Sequence, residues 1–132
     1  MALSPVHASA GIIGAVAVST ANTNRDGTGT IATVATGVAA GTRINRVVLK
    51  ATGDPADSVV TLFLHDGTNY FLFDEFDLGN PAAASNSVPG YRDERVYADL
   101  VLPNASWSLR AAITVALTAG VINVFALGEV LT

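Results

Sequence analysis

The stretch that most constrains this chain is residues 58–78, SVVTLFLHDGTNYFLFDEFDL. Two runs rich in branched and aromatic residues, 59–64 and 70–78, flank His65-Asp66-Gly67-Thr68-Asn69. An Asp-Gly turn between such runs signals a β-hairpin. With strict alternation Val60, Leu62, Leu64, Tyr70, Leu72 and Phe76 share one face. Burying those six contributes roughly 9–18 kcal/mol, at about 1.5–3 kcal/mol each. Ordering some twenty residues costs on the order of 20–40 kcal/mol, so the hairpin needs a second sheet. The opposite face carries Val59, Phe63, Phe71 and Phe73 beside His65, Glu75 and Asp77. Three phenylalanines at about 150–250 Å² each exceed the apolar patch a soluble monomer usually exposes. Either another segment of the chain covers them or a partner does.

The rest of the chain supplies more strands. Residues 10–19 are small and apolar, and their β-branched content and two glycines favour strand over helix. Residues 20–28, TANTNRDGT, are dense in turn formers. Residues 29–38 make a light strand and 42–51 a stronger one, where Ile44, Val47 and Leu49 reach one face only with a bulge near Asn45-Arg46. Residues 92–102 alternate with Val96, Ala98, Leu100 and Leu102 inward and Arg95, Tyr97 and Asp99 outward. Residues 106–117 place Trp107, Leu109, Ala111 and Ile113 inward, and 121–131 are apolar on both faces. About eight strands with turn signals between them predict an all-β, eight-stranded antiparallel β-sandwich, jelly-roll-like, over residues 10–132. Residues 1–9, MALSPVHAS, read as an extended N-terminal arm. Residues 79–91, with two prolines, form the longest connection, of a length that often carries function.

Several chemistries are argued against. The seven basic residues are scattered and the net charge is −4, which disfavours nucleic acid. Without cysteine there is no disulfide, zinc–thiolate site or thiol nucleophile. The longest apolar run, residues 10–18, is too short to span a bilayer, and no basic leader precedes it, so neither a membrane partner nor an export signal is expected. His7 lies in the arm and His65 at the hairpin turn, where local hydrogen bonding is expected, and no G-x-S-x-G motif is present. Asp74 alternates away from Glu75 and Asp77, so these acids do not face one another across a cleft as glycosidase pairs do. Asp54 and Asp57, with the later acids, are the calcium candidates, but no EF-hand pattern accompanies them. No catalytic residue, metal site or cofactor is assigned.

Three segments, 42–53 (TRINRVVLKATG), 62–70 (LFLHDGTNY) and 100–112 (LVLPNASWSLRAA), resemble small all-β structural proteins encoded near capsid genes in tailed bacteriophages. The similarity spans roughly residues 29–127, and within that group the match is to capsid decoration, or cement, proteins. The resemblance implies an oligomer, commonly a homotrimer, made in the host cytoplasm and bound to the major capsid protein on the outer face of the virion shell. It brings no catalytic motif. From the residues themselves, partner contacts are expected at Leu3, Pro5 and Val6 of the arm, at Phe63, Phe71 and Phe73 of the hairpin, and at Val88 and Tyr91 of the long connection. The alternatives are a tail, baseplate or fibre component, and a carbohydrate-binding module using Tyr91 and Tyr97.

Overall fold

The computed structural model describes residues 10–131. Its hairpin joins β4 (Ser58–His65) to β5 (Tyr70–Gly79). Gly67 adopts φ 104°, and the Asp66 carboxylate accepts hydrogen bonds from the Thr68 and Asn69 amides at 2.9 and 2.7 Å. These bonds hold the exposed Asp66 carboxyl below the usual carboxylate range, the Asn69 amide contributing most. The register contains two irregularities that strict alternation does not anticipate, one between Ser58 and Val59 and one between Leu62 and Phe63, and the second has the larger consequence. Leu62 lies opposite Asp74 but Phe63 lies opposite Leu72, so Phe73 is an extra residue in β5. Every residue of β5 before it therefore changes face. Tyr70 and Leu72 join Phe63 on the outer face, and Phe71 joins Leu64 on the inner one, which corrects the expected grouping.

The other strands are β1 (Ala10–Val18), β2 (Ala32–Thr36), β3 (Thr42–Ala51), β6 (Arg92–Val96), β7 (Val101–Leu102), β8 (Ser108–Ile113) and β9 (Ile122–Val130). They form two antiparallel sheets, one ordered β1-β9-β3-β6 with β7 also on β3, the other β2-β8-β4-β5. Successive strands change sheet at each connection except the β4–β5 hairpin and the β6–β7 break, which is a jelly-roll-like winding. Among the described residues nine strands replace the expected eight because one edge strand is interrupted. Both β6 and β7 pair with β3, and residues 97–100 leave the ladder between them. That excursion sits where β3 bulges at Asn45, between Ile44 and Arg46. Its ends are tied down by Tyr97 N–H donating to the Asn45 carbonyl at 2.8 Å and Ile44 N–H donating to the Leu100 carbonyl at 2.9 Å.

The expected bulge in β3 brings Ile44, Val47 and Leu49 to the core, all fully buried. They meet Ile122, Val124 and Ala126 of β9 on their own sheet. Val60, Leu62, Phe76, Leu109, Ala111 and Ile113 face them from the other sheet. At one edge of the sandwich β1 and β2 approach so closely that a Cβ on Gly14 would strike the Val34 carbonyl and the Ala35 side chain. A Cβ on Gly128, beside the bulge, would collide with the Arg43 carbonyl. The alternation expected across residues 92–102 holds at Leu100 and Leu102, both buried, and fails before them: Val96 is 74% exposed, and Arg95, opposite the buried Val47, faces the other sheet.

The outer face of the β4–β5 sheet is covered in part by the chain itself, over Phe63 and Tyr70, while Leu72 stays exposed. Asn22 organises the β1–β2 loop, donating from Nδ2 to the Thr28 and Thr30 carbonyls at 2.9 and 3.0 Å. The loop packs Gly27 against Tyr70, and Arg25 pairs with Glu75 at 2.7 Å. Gly128→Ala forces the β3–β9 ladder apart at its bulge. Equilibrium urea unfolding is expected to give a loss of about 1–3 kcal/mol, against no measurable loss for Ala116→Ser on an exposed loop.

Candidate interaction surface

The Phe73 bulge places aromatic residues at the hairpin end of the sandwich. Phe71, 48% exposed, stacks on Trp107 with ring centroids 6.4 Å apart and planes 20° from parallel. Phe73, 38% exposed, lies 5.3 Å from the Tyr97 ring. Beside the Phe73–Tyr97 pair opens an apolar cleft of about 400 Å³ lined by Leu64, Phe73, Tyr97, Ala98, Asp99, Leu100 and Val101. The excursion between β6 and β7 forms one wall and β5 the other. Exposed Leu72 and Val101 extend the apolar surface.

A polar clasp holds the two walls together. Asp74, opposite Leu62, points toward the seam between the sheets. Arg95 Nη1 donates to its Oδ1 at 2.5 Å, and Tyr97 Oη donates to its Oδ2 at 2.8 Å. The Arg95 guanidinium also lies over the Phe76 ring, 4.6 Å from its centroid. Burial alone pushes the Asp74 carboxyl up, but the bonds from Arg95, Tyr97 and the Glu75 amide outweigh it and hold the group below the usual range. Burial, then the Asp74 carboxylate, raises the Tyr97 hydroxyl above its ordinary value. Farther along the seam, burial and Asp93, to which its hydroxyl donates at 3.2 Å, push Tyr91 up to about 12.

The hairpin and connection residues named from the sequence divide. Phe71, Phe73 and Val88 are exposed, the last in the connection from β5 to β6. Phe63 is fully buried and leaves the set of contact residues, because Tyr70 meets it edge-on at 6.1 Å and the β1–β2 loop lies over that face. Tyr91 is half-buried against the core with its hydroxyl engaged. Leu3, Pro5 and Val6 lie outside the described residues. Trp107, expected as core on a strand, precedes β8 and is half-buried. His65 bonds locally, its Nδ1 accepting from the Gly67 amide at 3.3 Å. The acids do not converge: Asp74 faces Arg95, Glu75 faces Arg25, and among the described residues no three potential metal ligands cluster.

A second apolar surface lies on the other sheet. On the outer face of the β1-β9-β3-β6 sheet, Ile13 lies beside Leu127, Leu127 beside Arg46 and Arg46 beside Val96. The next row runs Ala15, Phe125, Val48 and Glu94. The two-sided apolarity of β9 was the readable sign of it.

No family model matches the chain, and no curated protein matches it. Among solved structures the chain is similar to a pentameric capsid protein isolated from metagenomic phage sequences, at 13% identity and a TM-score of 0.41. The match covers 97% of this chain and 62% of that one, so this chain spans less than two thirds of its length. A likeness that distant bears on neither activity nor partners.

The clasp predicts a pH dependence. The depressed Asp74 contributes stability that is complete above about pH 4 and lost as pH falls through that region. The raised Tyr97 contributes stability that is complete below about pH 10 and lost as pH rises further. The thermal midpoint should therefore be flat between about pH 5 and 9 and fall on both sides. Tyr97→Phe should cost about 1–2 kcal/mol at neutral pH and make the alkaline fall shallower; an unchanged alkaline slope would remove Tyr97 from the clasp.

Proposed function

We propose that this protein is a structural component of a phage virion that binds the outer surface of the capsid and stabilises it, a role of binding without catalysis. The observation that carries the reading is the apolar end of the sandwich, where Phe71, Leu72, Phe73 and Val101 stand exposed on a rigid frame. Together these side chains expose on the order of 300 Å² of apolar surface, the size of patch that is often functional on a monomer. The sequence resemblance to decoration proteins supplies the setting, and the major capsid protein is the partner it names.

Magnitudes favour attachment in several copies. Covering roughly 300 Å² of apolar surface contributes on the order of 7 kcal/mol. Association costs about 4–15 kcal/mol. One such contact is marginal, whereas several on one oligomer gain by effective concentration. The sugar-binding alternative loses support because Tyr91 and Tyr97 are both half-buried with their hydroxyls held by carboxylates.

Purified protein should co-sediment with expanded empty capsids of its own phage and raise their heat resistance. Phe71→Asp with Phe73→Asp should weaken that binding at least tenfold while leaving the far-UV circular dichroism unchanged, since both side chains are exposed. Binding to isolated tails and not to heads would reject the capsid assignment in favour of a tail component.

A further inference from the structure

Among the described residues the sandwich has four edges, at β1, β2, β5 and the interrupted β6–β7, and they are not protected alike. An open edge offers unpaired N–H and C=O groups to any extended chain, and soluble proteins blunt such edges with charges, bulges or shortness. In β5 the Phe73 bulge and three acids do this, Asp74 pointing inward. Four of the five residues of β6 are charged, with Arg95 turned toward the seam. Strand β2 is five residues long and broken by a register shift at Val34. Strand β1, AGIIGAVAV, has none of these devices. It runs for nine residues in unbroken register with β9 and has no charge and no proline. Among the described residues its outward backbone groups make no hydrogen bond to any other strand or loop.

We propose that β1 is a self-association edge, pairing antiparallel with β1 of a second copy about a two-fold axis at Gly14. The second copy is favoured as occupant because the sequence of β1 is complementary to itself in that register. Gly14 lies opposite Gly14, Ile13 opposite Ala15 and Gly11 opposite Ala17, so on the outer face each larger side chain meets a small one. No like charges are brought together, as they would be if β5 or β6 paired with its own copy. Ile13, 75% exposed on the single chain, would sit between its own Leu127 and Ala15 of the second copy. That Ala15 adjoins Phe125 of its own sheet, so the apolar stripe would continue across the axis. The pairing is isologous and consumes the open edge of both copies, so it stops at two. It departs from the trimer implied by the sequence resemblance, and it does not depend on the capsid assignment.

Sedimentation equilibrium at tens of micromolar should give twice the 13.5 kDa chain mass. Ile13→Lys, at a position outside the core, should return the mass to that of one chain with the far-UV spectrum retained. The chain has no native cysteine, so oxidised Ile13→Cys/Ala15→Cys should form a covalent dimer on a non-reducing gel, and Ala17→Cys alone should form little. A monomer or trimer for the native chain overturns the proposal, as does a dimer unaffected by Ile13→Lys or equal cross-linking of the two cysteine variants.

Discussion

One inward-pointing carboxylate sets the character of this sandwich. Asp74 lies opposite Leu62, on the side of β5 that faces the other sheet, where an unpaired charge would cost several kcal/mol. It is tolerated because Arg95 and Tyr97, from across the seam, both bond to it. The extra residue that adjoins Asp74, Phe73, turns Phe71 to the face of Leu64, close to the hairpin end. Bulge, clasp and cleft therefore form one contiguous arrangement.

The two seams between the sheets are closed by different chemistry. At the β1–β2 side the backbones meet through Gly14, with no room for a side chain. At the β5–β6 side charged and aromatic residues bridge a wider gap, and their partial exposure leaves solvent able to screen them. The first seam is closed by backbone contact; the second is polar, sensitive to pH, and opens into the apolar cleft. Specific recognition belongs with the second, while the plain edge of β1 suits pairing between identical chains.

Much of the framework was readable from residue order. The hairpin announced itself through Asp66-Gly67, and the β3 bulge followed from the broken parity of Ile44, Val47 and Leu49. The Phe73 bulge was invisible for the opposite reason: with apolar residues on both parities of β5, no hydrophobic pattern is violated whichever register forms. The burial of Phe63 depends on a loop organised by Asn22, some forty residues earlier, whose turn-rich composition says nothing about what it covers. Arg95 read as outward because a charged side chain on an alternating strand usually is. Its inward placement depends on a carboxylate 21 residues away on the other sheet. Local pattern found the strands, but the interaction surface is made by contacts between them.

The central claim is that the hairpin end of the sandwich is the face presented to a capsid. Hydrogen–deuterium exchange of the protein free and bound to expanded capsids addresses it directly. Added protection is expected in residues 70–74, 97–101 and 105–108, with the β5–β6 connection around Val88 unchanged. Protection confined to that connection, at the opposite end, would contradict the account.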